Sequence, residues 1–301
     1  MILGIDIGGT NIKFGVVDEH YKIVGRYSIP TDADRTDKEI VADIIAKAKD
    51  IQTEYAFEAI GIGSPGDLDC KNGICIFAAN LPYDNTPIAA MITEALGLPV
   101  YLANDATAAV YGELYAGVGK DYENMVMITL GTGVGGGIAI GGRPYLGHQG
   151  GAGEIGHMII KYDGLPCPCG QTGCYEQYAS VTALIRLTQE AIEANPDSLL
   201  AQLGAEEVTG RTAFDAKAQG CSVGAAVVDQ YIEYIAIGVT GLERIFQPDA
   251  IVIGGAVSNQ EEALLAPLRQ KVQLPINVFT SQLKNDAGII GAAVVADKKG
   301  C

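Results

Sequence analysis

The chain opens on short apolar runs broken by glycines, not on an amphipathic helix. Ile2, Leu3, Ile5 and Ile7 lead into Gly8-Gly9-Thr10-Asn11, and Ile12, Phe14, Val16 and Val17 follow. This pattern predicts strand, tight turn and returning strand over 1–18, with a third strand over 22–29. Thr36 stands three residues before Glu39 and ahead of Ile40, Ile44, Ala48 and Ile51, which is a capping box followed by one apolar helix face. Residues 59–63 read as a short buried strand. Ser64-Pro65-Gly66 then breaks regular structure, and an irregular stretch runs through Asn80-Leu81-Pro82-Tyr83 to a helix capped by Thr86 and started by Pro87. Residues 99–103 predict a strand that ends at Asn104-Asp105, with an alanine-rich helix over 106–116 behind it.

Residues 127–140 then repeat the opening, lying over 4–17 as strand, Gly/Thr turn and strand. The repeat reads as a duplicated half. Further on, Ser180 caps a helix running to Ala194, and 222–246 form a long apolar-faced helix closed by Pro248. A strand over 250–253 ends in Gly254-Gly255-Ala256, followed by a helix over 257–272, a strand over 276–279 and a last helix over 287–297. Strands alternating with helices make this an α/β chain. No disordered linker interrupts it, so the expected division is a smaller N-terminal α/β domain over 1–116, joined by the helix of 287–301, and a larger domain over 117–286.

With 301 residues, 48% hydrophobic and 19% charged, two domains with sizeable cores are affordable and disorder is excluded. A net charge of −16 without any clustered Lys/Arg run argues against nucleic acid and anionic membrane as partners. Apolar runs stop well short of a membrane span and no leader pattern opens the chain, so a soluble cytoplasmic protein is expected. Three of the seven cysteines crowd one Pro/Gly-rich loop, which is no disulfide framework; Cys70, Cys75, Cys221 and Cys301 read as free thiols.

Gly131, Gly133 and Gly136 satisfy G-x-G-x-x-G, but a strand and not a helix follows, so the dinucleotide reading fails. Gly119-Lys120 is followed by Asp121, so no P-loop exists either. A glycine hairpin can still offer backbone N–H groups at positive φ to a phosphate, with Thr10, Asn11, Lys13 and Thr132 as further donors. Glycines at a hairpin tip can also be mere turn residues; their repetition in both halves, with Gly254-Gly255 as a third turn, favours phosphate. Cys167-x-Cys169-Gly170-x-x-Gly173-Cys174, with His157 upstream, suits a closed tetrahedral Zn²⁺ site, the alternative being three reduced cysteines in a turn. Such an ion would be structural and would fix Glu154 and Glu176 nearby. Asp105 is either a helix N-cap or a carboxylate placed to accept a hydroxyl proton, and the two roles can coexist.

Two glycine hairpins, Asp6 on the first strand and a late glycine turn resemble the ATP site of the actin, Hsp70 and sugar kinase superfamily. That resemblance implies a duplicated actin-like ATPase, ribonuclease H-like fold with two domains around a central cleft. More narrowly, the chain resembles the ROK family of repressors, open reading frames and kinases. The matching pieces are Asp6-Ile7-Gly8-Gly9-Thr10, residues 61–66, Asn80-Leu81, Asn104-Asp105-Ala106, residues 130–137, Gly153-Glu154-Ile155-Gly156-His157, residues 167–176 and Ile253-Gly254-Gly255.

The resemblance implies an ATP-dependent hexose kinase acting on the 6-hydroxyl of glucose, with Mg²⁺ and a structural Zn²⁺, assembled as a homodimer or homotetramer. Asp105 would be the general base. Gly66, Asn80, Asn104, Asp105, Glu154, His157 and Glu176 would hold the sugar, and His157, Cys167, Cys169 and Cys174 the zinc. Asp6, Gly8, Gly9, Thr10, Asn11, Lys13, Gly131, Thr132, Gly133, Gly254 and Gly255 would face the nucleotide and its metal. Tyr83 stands where many members have Trp, while Gly153 before Glu154 resembles glucokinases and acylaminosugar kinases more than fructokinases. N-acetylmannosamine or allose is the alternative acceptor. A sugar-sensing regulator of the same family is the alternative of another class; such proteins place a helix-turn-helix before the first hairpin, which here begins almost at Met1.

Overall fold

The computed structural model describes residues 1–148 and 151–300. The opening alternation forms β1 (Ile2–Ile7), β2 (Asn11–Val17) and β3 (Ile23–Pro30), each antiparallel to the one before, with Ile7 opposite Ile12 across the glycine turn. α1 (Asp37–Gln52) starts at its capping box: Thr36 Oγ1 accepts from Glu39 N, and the Glu39 carboxylate accepts from Thr36 N. β4 (Ala59–Ser64) is buried along its whole length and parallel to β1, as an apolar run covered on both faces should be.

The stretch expected to be irregular holds β5 (Asp67–Asp69), β6 (Ile74–Phe77) and β7 (Asp84–Thr86), which make a small antiparallel sheet. These strands, of three or four residues each, are too short for an alternation to mark them, and β6 (Ile-Cys-Ile-Phe) has no polar positions to alternate. Thr86 does not cap α2 (Ile88–Leu96). It ends β7 and donates its hydroxyl to Asp37 Oδ2 at 2.7 Å, leaving α2 without a side-chain cap. β8 (Val100–Asn104) and α3 (Asp105–Ala116) follow as expected.

The second half supplies β9 (Met125–Leu130), β10 (Val134–Ile140) and β11 (Arg143–Pro144). A run of helices follows, beginning with α4 (Glu176–Ala179), α5 (Val181–Ala194), α6 (Leu199–Leu203) and α7 (Thr212–Ala218). α6 and α7 are too short to leave a periodic signal and were not foreseen. α8 (Ser222–Phe246), β12 (Ala250–Gly254), α9 (Glu262–Val272), β13 (Asn277–Thr280) and α10 (Ala287–Asp297) complete the order. Where one helix over 257–272 was expected, a 3₁₀ turn over Ala256–Gln260 precedes α9. Cys301 lies outside the described residues; Cys70, Cys75 and Cys221 form no disulfide among the described residues.

The two large sheets share one plan. Their orders are β3-β2-β1-β4-β8 and β11-β10-β9-β12-β13, so each hairpin of one half has its counterpart in the other, followed by two parallel strands. The chain divides into two compact units: residues 1–123, 138–152 and 285–301 form one, and 124–137 with 153–284 form the other. Among the described residues no helix is long and apolar enough to cross a membrane.

In the second unit α8 is the long element against which others pack. Tyr175, fully buried, donates to Ile235 O at 3.2 Å, and Tyr231 donates to Ala179 O at 2.7 Å. Both tyrosines therefore anchor α4 to α8 through hydroxyls that burial would otherwise leave unpaired. In the first unit α10 lies against β1, β4 and α3 at backbone distance. A Cβ on Gly61 would come 1.7 Å from Ala292 O, and one on Gly291 would come 1.6 Å from Ala108 O. No side chain can be accommodated there without moving backbone. Gly61→Ala is accordingly expected to lower stability by about 2 kcal/mol or more, read as a fall in the urea midpoint at unchanged m-value; an unshifted midpoint would refute the packing account.

Candidate functional site

The candidate residues fall into two groups, one in each unit. In the first unit, the antiparallel register sets Asp6 on β1 opposite Lys13 on β2, and their charged atoms lie 3.8 Å apart. Gly288, in the first turn of α10, would bring a Cβ within 2.9 Å of Asp6 Cγ, so a bare backbone makes room for this carboxylate. Burial raises the Asp6 carboxyl above its ordinary value; Lys13 opposes the rise and the nearby Asp105 carboxylate adds to it. Asp6 and Asp105 are thus near enough to repel.

The N-cap of α3 is Asn104, not Asp105. Asn104 Oδ1 accepts from Ala106 N at 2.9 Å and Thr107 N at 3.3 Å, while its Nδ2 reaches Gly66 O at 3.5 Å. Asp105, at the first helical position, is open to solvent yet closely surrounded, and desolvation raises its carboxyl despite the Ala106 N–H that it accepts at 2.8 Å. Gly66 has φ +105, and a Cβ there would meet Phe77 O at 2.3 Å. Asn80 lies in the exposed turn between β6 and β7.

Both glycine hairpins differ from expectation in the same way. Gly8, Gly9, Gly131 and Gly133 do not have φ in the left-handed region, so they do not form a positive-φ nest. The tip carbonyls have partners of their own instead. Thr31, fully buried, gives its hydroxyl to Gly8 O at 2.6 Å and its N–H to Thr10 O at 3.0 Å. In the second unit Val181 N donates to Gly131 O at 2.8 Å, and Thr182 Oγ1 donates to Thr132 O at 2.8 Å. Among the described residues nothing accepts the N–H groups of Gly9, Thr10, Thr132 or Gly133. A Cβ on Gly9 would meet no protein atom within 4 Å, so its lack of a side chain serves no internal contact and leaves space against the backbone donors. That is a fit for an anionic group such as phosphate.

Glu176, first residue of α4, is drawn into the second hairpin. Its Oε2 accepts from Val134 N at 2.9 Å and stands where a Gly133 Cβ would be, 2.3 Å away. Gly255, with φ +80, packs its bare Cα against Leu130, whose carbonyl oxygen would be 2.4 Å from a Cβ; Gly254 precedes it at the end of β12.

Downstream, four side chains converge. The ligand atoms of His157, Cys167, Cys169 and Cys174 all lie within 4.8 Å of one another, with His157 Nδ1 3.8 Å from Cys167 Sγ and the Cys169 and Cys174 sulfurs 3.6 Å apart. These separations are those of ligands around one tetrahedral ion with Zn–S bonds of about 2.3 Å. Gly173, at φ +81 and crossing Lys161 O, makes the sharp return that brings Cys174 back to Cys169. Burial, with the neighbouring sulfurs, pushes the Cys174 thiol up to about 12, whereas the Gln171 N–H lowers that of Cys169. A buried thiol that resists ionisation, as that of Cys174 does, is what a cation would relieve, so the donor set fits a metal. His157 Nε2 faces away from the sulfurs, 3.9 Å from the exposed Glu154 carboxylate.

Thr31 and Thr182 carried no signal in sequence. Their partners lie 23 and 50 positions away, and only the folded hairpins bring them together.

Residues 2–299 match the ROK family. The glucokinase of Streptomyces coelicolor is 37% identical, over 98% of this chain and 97% of that protein. The glucokinase of Thermotoga maritima is 34% identical, over 99% and 98% respectively. Among solved structures, a ROK family glucokinase from Streptomyces griseus in complex with glucose and AMPPNP superposes with a TM-score of 0.85 at 35% identity, covering 99% of both chains. With two matching hairpin sheets and a family match along almost its whole length, this chain belongs to the ROK family and has the actin-like ATPase fold.

Proposed function

We propose that this protein is an ATP-dependent glucokinase, transferring the γ-phosphoryl group of ATP to the 6-hydroxyl of glucose. The observation that carries the reading is identity of 34–37% to glucokinases along nearly the full chain. Two anion-ready hairpins and a carboxylate at the carboxyl end of a parallel strand support it.

Asp105 is the base in this reading. Its carboxyl, raised by desolvation from the atoms around it, accepts the hydroxyl proton as the new P–O bond forms. The loose transition state asks little of the base until late, so holding the two substrates in line supplies most of the acceleration. Mg²⁺, when bound with ATP, would neutralise charge building on the β- and γ-phosphate oxygens. Asp6 is the carboxylate that would accompany it, Lys13 with the tips at Gly8–Asn11 and Gly131–Gly133 would supply donors, and the turn at Gly254-Gly255 would serve the nucleoside.

The sugar hydroxyls are read by Gly66 backbone, Asn80, Asn104, Glu154, His157 and Glu176. With Nδ1 turned to the cysteines, His157 keeps Nε2 for a hydroxyl, and Glu176 keeps Oε1. An epimer that leaves one of these groups unpaired is penalised. His157, Cys167, Cys169 and Cys174 hold a structural Zn²⁺ that stiffens this wall. The same reading makes the protein a cytoplasmic enzyme and a homodimer or homotetramer.

A coupled ADP-release assay over a hexose panel tests the activity directly, with glucose expected to give the highest kcat/KM and no turnover on any hexose refuting the reading. Asp105→Asn is expected to cut kcat by about 10²-fold or more. Because folding raises the Asp105 carboxyl, the unfolded chain loses that proton first as pH climbs past 3.8, so the ionised group costs stability above that point. The Asn variant should therefore hold or raise Tm at pH 7, and the acid limb of wild-type kcat/KM should lie above 3.8; near-normal turnover would remove Asp105 from the mechanism.

Gly9→Ala separates cradle from fold. With no protein atom in the way, Tm should stay within about 1 °C, since a surface change of this kind is worth within about 0.5 kcal/mol. KM for ATP should rise several-fold; an unchanged KM would show that nothing is bound against Gly9. For the metal, one zinc per chain is expected by elemental analysis. Chelation should lower Tm and weaken glucose binding more than ATP binding, and the opposite order would assign the ion elsewhere.

A further inference from the structure

In both halves a hairpin tip can face an anion only if its own carbonyls face something else. The first tip is satisfied by Thr31, through both hydroxyl and N–H. The second is satisfied from one short segment, residues 176–182. Glu176 Oε2 takes the Val134 N–H at 2.9 Å, Val181 N–H goes to Gly131 O at 2.8 Å, and the Thr182 hydroxyl goes to Thr132 O at 2.8 Å.

We infer that Thr31 and Thr182 are positioning residues for the phosphoryl donor, each fixing its hairpin so that backbone N–H groups, not carbonyl oxygens, meet the phosphates. A peptide plane carries donor and acceptor on opposite edges, so tying the carbonyl of Thr132 inward turns the N–H of Gly133 the other way. The carbonyl of Gly8 does the same for the N–H of Gly9. Without these hydroxyls each plane can rotate and set a partial negative charge beside a polyanion. Neither threonine touches the phosphate in this account; the hydroxyl acts through the peptide plane. This inference rests on the kinase reading for the identity of the anion.

Thr182 gives the cleaner test, because it is exposed and near the start of a helix already capped by Ser180. Thr182→Val keeps shape and loses the hydroxyl, whereas Thr182→Ser keeps the hydroxyl. Calorimetry with AMPPNP should show Kd raised about 3- to 10-fold in the Val variant, the equivalent of one ordinary hydrogen bond. KM for ATP should rise in parallel, with KM for glucose and the Ki of adenosine, which has no phosphate, unchanged. The Ser variant should match wild type. Thr31→Val should show the same selectivity together with a lower Tm, since its hydroxyl is buried.

An AMPPNP Kd within twofold of wild type in folded Thr182→Val would overturn the inference, as would a Ser variant as impaired as the Val variant. So would a loss of adenosine and AMPPNP affinity by equal factors, which is the signature of general loosening. If wild type binds AMPPNP but phosphorylates no hexose, the glucokinase reading fails while the Kd comparison still decides this inference. If wild type does not bind AMPPNP, both fall.

Discussion

A tight turn that is to hold an anion has an awkward composition, because every residue brings a carbonyl oxygen along with its N–H. The answer in this chain is to give the carbonyls partners of their own. Thr31 takes two at the first tip, and the segment leading into α5 takes two at the second. What faces outward is then donor-rich without any local excess of Lys or Arg, which reconciles a polyanionic ligand with a chain of net charge −16. In the proposed function, charge complementarity comes from backbone dipoles at the two tips, and the chain as a whole keeps its acidic character.

The second dependence is on α4. It begins at Glu176, two residues past Cys174, and Tyr175 and Tyr231 tie it to α8. One side of this single turn belongs to the His/Cys cluster, where Gln177 Nε2 approaches Cys167 Sγ at 3.6 Å. Its other side belongs to the hairpin through the Glu176 carboxylate. The family resemblance assigns Gly131, Thr132 and Gly133 to the nucleotide and Glu154, His157 and Glu176 to the sugar. Glu176 blurs that division, since one of its oxygens is committed to the hairpin and the proposed function gives the other to a sugar hydroxyl.

Features legible in the sequence were those with short-range causes. The Thr36/Glu39 box, the Ser180 cap and the overlay of 127–140 on 4–17 all lie within windows that periodicity and capping rules can read. The convergence of His157 with three cysteines was equally local, because Gly and Pro in the loop dictate its tightness. Features that were missed depend on distant pairings or on conformations shared by neighbours. β5, β6 and β7 have three or four residues each and are held by one another. Asn104 and Asp105 are both good caps, and only the extended backbone at Asn104 decides between them. The glycines at the tips misled by composition: none has left-handed backbone, and a side chain would run into Glu176 at Gly133 but would meet no protein atom at Gly9.

The glycine seam around α10 also sets an order of events during synthesis. Gly4 and Gly61 on the sheet and Gly112 on α3 all await the backbone of residues 287–293, and Ile289, Ile290, Val294 and Val295 are buried there. The unit made first on the ribosome therefore lacks a wall of its core until residues 287–297 have emerged, whereas the other unit is complete by residue 284. Contacts spanning nearly the entire chain are slow to close and leave apolar surface bare in the interval. Nascent chains of this protein thus carry an open N-terminal sheet for most of their translation, and chaperones have that long to engage it.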